Sequence, residues 1–118
     1  MHRLLILAPA AALALLSFAG PVSAQAEDLR AEVSAFRREV HASHRDVGQL
    51  RRCNADRDPV EIQRASDTAR AVAAHADALA ARLPGKEHVQ MLTIRDIAEM
   101  DSWLVWTMPE ICYQPPAE

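Results

Sequence analysis

Two histidines three positions apart are the residues of this chain best suited to chemistry. His41 and His44 stand in a segment with helical periodicity, and their spacing puts both imidazoles on one flank of a helix. Such a pair can hold Zn²⁺ or Cu²⁺ when another helix supplies a third ligand, for which His75, Asp101 and Met100 are the candidates. Alternatively, His41 is solvated and His44 lies at the edge of a packing surface. Metal binding is therefore a hypothesis that depends on how the helices meet.

Asp101 is a second residue with more than one interpretation. The periodicity places it near the middle of an apolar helix face, where a carboxylate without a partner is costly. It therefore predicts a buried pair with either His44 or Arg37. Such pairs fix the register of packed helices, and they also occur at functional sites with perturbed pKa values.

Enzymatic chemistry is not indicated. The sequence contains no Gly-rich phosphate loop, no paired catalytic carboxylates and no C-x-x-C or C-x-x-C-H motif. The serines after the first 24 residues all fall within predicted helices, where a nucleophile elbow is not expected. They are Ser34, Ser43, Ser66 and Ser102. The chain is predicted to have no catalytic residues and no cofactor.

A cluster of arginines runs from the middle of the first predicted helix into the loop after it. Its members are Arg37, Arg38, Arg45, Arg51, Arg52 and Arg57. Acids at Glu39, Asp46 and Asp56 offset half of this charge. The cluster is interpreted either as a solvated helix face or as a docking place for an anion or an acidic partner.

The first 24 residues have the features of a secretory signal peptide. His2 and Arg3 precede an apolar run, and the small residues Val22-Ser23-Ala24 follow Gly20-Pro21. The apolar run is too short and too interrupted for a typical membrane-spanning helix, although an uncleaved anchor is the alternative. We therefore expect cleavage after Ala24, an export to the periplasm or the medium, and no membrane span in residues 25–118.

Residues 25–118 have the length of one domain. Their 12 basic residues, the 13 of the whole chain without Arg3, face 16 acids, which gives a net charge of −4. This balance favours neither nucleic acid nor an anionic membrane as a partner.

Two segments predict the first two helices. The first spans roughly Glu27 to Arg52, with an apolar stripe at alternating spacings of four and three: Leu29, Val33, Phe36, Val40, Val47 and Leu50, with Ser43 in the gap. The second begins with Asp58 as the N-cap and Pro59 in the first turn, and it ends at Pro84-Gly85. Its stripe comprises Ile62, Ala65, Ala69, Val72, Ala76, Leu79 and Leu83. Its alanines allow neighbouring helices to approach closely.

The third predicted helix, Glu87 to Met108, is apolar on two sides. One broad face was expected to pack in the core: Ile94, Ile97, Ala98, Met100, Leu104, Val105 and Met108. Leu92, Trp103 and Trp106, called here the Trp flank, fall on the far side. The flank is covered by the chain's own tail, by a protein partner or second copy, or by a small ligand; Tyr113 and the prolines of the tail suit the first possibility.

Three helices joined by short loops predict an all-α, up-down-up three-helix bundle. This topology brings the ends of the first and third helices to one pole, where Cys53 and Cys112 lie. Neither cysteine has a second Cys or His at ligand spacing, so one structural disulfide is expected. We expect a bundle of this kind to act by binding a protein partner or a second copy through the third helix and its Trp flank. A metal-binding protein using His41 and His44 and an acid-responsive, chaperone-like protein are the alternatives.

Overall fold

The computed structural model describes residues 21–109 and Cys112. These residues form three helices, α1 (Pro21–Leu50), α2 (Pro59–Ala80) and α3 (Gly85–Leu104), and contain no strand. The helices run up, down and up, and a disulfide joins Cys53 to Cys112, with 5.2 Å between the Cα atoms. The predicted fold class is confirmed. None of the three helices is long and apolar enough to cross a membrane.

The chain divides into two compact units, 1–35 and 36–118, with the boundary inside α1. In the first unit, residues 21–35 form the first half of α1, and Leu29 and Val33 are half-buried. Residues 1–20 lie outside the described residues, so the signal peptide stays a prediction. Residues 110, 111 and 113–118 also lie outside the described residues, so cover of the Trp flank by the tail stays one of the three alternatives.

In the second unit, the remainder of α1 presents the predicted stripe to the core. Phe36, Ser43 and Val47 are buried, and Val40 and Leu50 are half-buried. The helix ends at Leu50, two residues before the predicted end. Val47 packs with Ile62, Ala65 and Val105 in a cluster to which all three helical segments contribute, and Leu50 lies against it.

α2 starts with the predicted N-cap residue and proline. The side chain of Asp58 accepts a hydrogen bond from the backbone N–H of Val60 at 2.9 Å, and Pro59 occupies the first turn. The helix ends at Ala80, four residues before Pro84. Every residue of the predicted stripe is buried: Ile62, Ala65, Ala69, Val72, Ala76, Leu79 and Leu83. Because three of these seven residues are alanine, the stripe itself brings little apolar area to the core.

α3 starts after Pro84 at Gly85, whose φ of +58° suits glycine. It ends at Leu104, four residues earlier than predicted, and Trp106 follows in a turn. The buried residues of α3 are Met91, Ala98, Asp101 and Ser102, and Val105 directly after it is also buried.

The predicted core face of α3 was wrong in its orientation. Ala98 and Val105 are buried as expected, but Ile97, Met100 and Met108 are 46%, 52% and 39% exposed. The buried face is rotated by roughly 70° from the predicted one, at about 100° per residue. The prediction followed the larger apolar residues, whereas contacts with α1 and α2 bury a small alanine, a serine and a carboxylate instead.

Candidate functional site

Two of the three histidines of the predicted metal site each lie beside a carboxylate, in two separate pairs. His44 Nδ1 is 2.7 Å from Asp101 Oδ2, and His75 Nδ1 is 3.3 Å from Glu39 Oε2. The ring of His75 also packs on Phe36, with ring centroids 4.5 Å apart, while His41 is exposed. Within residues 21–109 and Cys112, no three His, Cys, Asp or Glu side chains form a group that could hold a metal ion. The metal hypothesis therefore gains no support from this part of the chain.

Of the two partners predicted for Asp101, the structure has His44. The other, Arg37, donates to the side-chain oxygen of Gln90 at 3.1 Å. Asp101 is only 8% exposed, whereas the side chain of His44 is 64% exposed. The imidazole thus covers a carboxylate that reaches the core from α3. This bond joins α1 to α3 and favours the observed rotation of α3 about its own axis.

A second polar contact ties the same side of α3 to α2. The hydroxyl of Ser66, which is fully buried, donates to the backbone carbonyl of Ser102. Ser102 in turn donates its hydroxyl to the carbonyl of Glu99 at 2.6 Å, within the helix. Because buried polar groups are costly without partners, these bonds favour the observed orientation of α3 over a rotated one.

The opposite side of α3 exposes large apolar side chains. We call Val89, Ile97, Met100 and Trp103 the outer face; they are 60%, 46%, 52% and 61% exposed. Trp106 and Met108 follow the helix at 44% and 39%. Of the seven large apolar residues exposed in the described part of the chain, six thus belong to α3 or to the four residues after it, and Val60 is the seventh.

The three members of the predicted Trp flank differ in position. Trp103 is exposed in the last turn of α3, and Leu92 is half-buried about three turns earlier. Trp106 lies beyond the helix end and forms one wall of an open groove of about 750 Å³. The remaining walls come from the outer side of α2: Pro59, Val60, Gln63, Arg64, Asp67, Thr68 and Ala71. The flank is therefore not one surface, because Trp103 belongs to the outer face of α3 and Trp106 to this groove.

The charges beside the outer face are mainly acidic. Arg95 donates to Asp77 at 2.9 Å and to Asp96 at 3.1 Å. The hydrogen bonds to Asp77 and then to Asp96 raise the pKa of the Arg95 guanidinium above its ordinary value. Two carboxylates thus share one cation, and Glu99 lies one helical turn further along and is exposed.

The arginine cluster predicted from the sequence includes two residues that bind the ends of helices. Arg57 donates to the backbone carbonyls of Leu50, at 2.9 Å, and of Val105, at 3.0 Å. Arg51 donates to the carbonyl of Thr107 at 3.2 Å. These carbonyls stand at the C-terminal ends of α1 and α3, where helical carbonyls lack partners and the helix dipole favours a cation.

No pattern in the sequence indicated this use of Arg57, because it depends on two helix ends meeting at the disulfide pole. Together with Cys53–Cys112, the two arginines close that pole. The docking of an anion there stays a prediction.

No protein-family model matches the chain, and no curated protein or solved structure shows significant similarity to it.

Proposed function

We propose that the chain is a non-catalytic, exported module that binds another protein through the outer face of α3 and needs no cofactor. The observation that carries the proposal is the concentration of exposed large apolar side chains on one helix. Scattered apolar residues are normal on a protein surface, but a contiguous set that includes tryptophan and methionine is typical of contact surfaces.

Export is supported by two features of different kinds. The first 24 residues have the pattern of a signal peptide. The disulfide between Cys53 and Cys112 is of a type that persists in oxidising compartments such as the bacterial periplasm. We therefore place the binding activity in the periplasm or outside the cell.

Site-directed photocrosslinking in producing cells tests the proposal. A photoreactive amino acid replaces Met100 in one variant and Gln49, an exposed residue of α1, in the control. We expect position 100 to give a discrete adduct with another protein and position 49 to give none. The adduct should disappear when Trp103→Ser is added, while the melting temperature stays within about 2 °C because Trp103 is mostly exposed.

Two results contradict the proposal. Equal adducts from positions 49 and 100 mean that the outer face has no special affinity. An absence of any adduct from position 100 means that it contacts no protein under these conditions. An adduct with the mass of two copies of the chain keeps the outer face as the contact surface and makes the second copy the partner.

A further inference from the structure

A cavity lies between the end of α1, the loop that follows it and the start of α2, and no residue of the outer face of α3 lines it. We propose that this cavity binds a free amino acid as a zwitterion, through arginines and carboxylates that are unpaired around it. The inference does not depend on the protein binding proposed above.

The cavity has the size and the lining of a site for a small molecule. Its volume is about 520 Å³, and three segments of the chain between residues 43 and 68 line it. The half-buried Leu50 and Ala55 and the buried Ala65 form its apolar part, and the rest of the lining is polar or charged. Cavities of this volume with a few convergent polar groups are typical ligand sites, and the small apolar part suits an aliphatic side chain.

Ser43 is a polar residue in the apolar stripe of α1, and the packing of the helices gives its hydroxyl no partner. Ser43 is only 6% exposed, and within residues 21–109 and Cys112 its hydroxyl makes no hydrogen bond. Every side-chain oxygen or nitrogen that is sealed from solvent in those residues has a partner, so the hydroxyl of Ser43 is reached through the cavity that it lines. Buried polar groups without a partner are rare in native proteins, and a bound polar ligand would supply the missing one.

Charged side chains of both signs line the cavity without pairing with one another. They are Arg52, Arg64, Asp46, Asp56 and Glu61. In the described part of the chain, Arg52 donates only to the backbone carbonyl of Gln49. Asp46 meets only Arg45, at 3.9 Å, and Arg64, Asp56 and Glu61 form no hydrogen bond or ion pair with any residue. Both signs of charge are therefore available for charge-assisted hydrogen bonds to a ligand.

The presence of both signs indicates a zwitterion rather than an anion or a cation. Glu61 and Arg64 are three positions apart on α2, a spacing that puts them side by side on one flank of the helix. An amino acid has its ammonium and its carboxylate on the same carbon, so one molecule can contact both side chains. A ligand with a single charge would leave either the arginines or the carboxylates of the cavity without a partner.

Three related compounds test the proposal on the full, disulfide-bonded chain. They are leucine, leucinamide, which lacks the carboxylate, and N-acetyl-leucine, which lacks the ammonium. Amide signals in NMR titrations measure the affinity and show which residues respond, and a ligand of this size should have a dissociation constant on the order of 1 mM. We expect leucine to bind at least ten-fold more tightly than either analogue, because a site that contacts both charged groups rejects a compound lacking one. The signals that shift should belong to residues 43–56 and 61–68.

Two pairs of variants locate the two charges. Arg64→Gln should weaken leucine binding at least five-fold, whereas Arg70→Gln, which removes an arginine of α2 outside the cavity, should leave it unchanged. Glu61→Gln should also weaken it at least five-fold, and Glu99→Gln on α3 is its matched control. Because all four side chains are exposed, these changes should leave the fold intact.

The outcomes that overturn the inference are distinct from those that overturn the proposed function. Leucinamide or N-acetyl-leucine that binds as tightly as leucine overturns it, because one charge is then enough. The absence of leucine binding, shifts outside the two segments, or equal losses from Arg64→Gln and Arg70→Gln overturn it as well. Tighter binding of putrescine than of leucine overturns it in favour of a polycation held by the acids. Trp103→Ser, which tests the outer face, should leave leucine binding unchanged.

Discussion

The two sides of α3 differ less in polarity than the two sides of most surface helices. The side that faces α1 and α2 includes the polar Asp101 and Ser102 beside Met91 and Ala98. The solvent side includes Ile97, Met100 and Trp103. Hydrophobic burial alone would favour an orientation that buried more of these exposed side chains, because each fully buried large apolar side chain contributes about 1.5–3 kcal/mol.

Directional contacts explain why α3 keeps this orientation. His44 binds Asp101, Ser66 binds the carbonyl of Ser102, and Arg57 binds the carbonyl of Val105. A rotation that buried Met100 would expose or break these bonds and would press large side chains against the alanines of α2. Polar contacts therefore favour this rotation of the helix and leave several of its large apolar side chains exposed.

The largest expected effect concerns the disulfide, which holds the pole where α1 and α3 end. Its two cysteines are separated by 59 positions, so Cys53→Ser with Cys112→Ser should lower the free energy of unfolding by about 4 kcal/mol in the chain-entropy model. Urea unfolding of the oxidised chain and of the variant measures the difference. A loss below about 1 kcal/mol would mean that the polar contacts close the pole without the disulfide.

Two methionines nine positions apart compare the sides of α3 directly. Met91 is fully buried and Met100 is 52% exposed. Met91→Ala should cost about 2–5 kcal/mol because it leaves a cavity in a small core, whereas Met100→Ala should change the free energy of unfolding by less than about 0.5 kcal/mol. Urea unfolding of both variants measures the difference. Similar costs would contradict the orientation of α3 described here.

The sequence predicted the helices and the disulfide, because these features depend on local residues or on the order of the helices. Asp58-Pro59 marks the start of α2, and the stripe of α2 repeats without interruption. The disulfide followed from combining the up-down-up topology with two cysteines just beyond helix ends. None of these inferences required knowledge of how one helix is rotated against another.

The orientation of α3 could not be obtained in the same way. Apolar residues occur on most sides of α3, so the sequence offers more than one apolar face. The prediction chose the face with the larger side chains and therefore placed Ile97 and Met100 in the core. The signal that was available is the seven-residue spacing of Met91, Ala98 and Val105, which are all buried. Weighting it correctly requires the knowledge that α2 presents small residues and a serine to α3.

The contact between His44 and Asp101 can be tested for its part in the orientation of α3. His44→Ala should lower the free energy of unfolding by about 1–3 kcal/mol, because it removes a hydrogen bond to a carboxylate that joins α1 to α3. His41→Ala, an exposed residue on the same flank, is the control and should change it by less than about 0.5 kcal/mol. A double-mutant cycle with Asp101→Ala should give a coupling of at least about 0.5 kcal/mol. Equal effects of the two histidine variants would remove this pair from the contacts that orient α3.

The smallest effect is expected at Arg57, which joins the ends of α1 and α3 through two carbonyls. Arg57→Lys keeps the charge near both helix ends but replaces a planar fork with a single ammonium, which cannot reproduce the bidentate geometry. The loss of one hydrogen bond should cost about 1 kcal/mol in urea unfolding. Arg52→Lys is the matched control, because Arg52 is exposed and donates only to the nearby carbonyl of Gln49, so it should cost almost nothing. If the two variants are equally stable, the guanidinium of Arg57 does not tie α3 to α1, and the orientation of α3 then depends on His44, Ser66 and the disulfide alone.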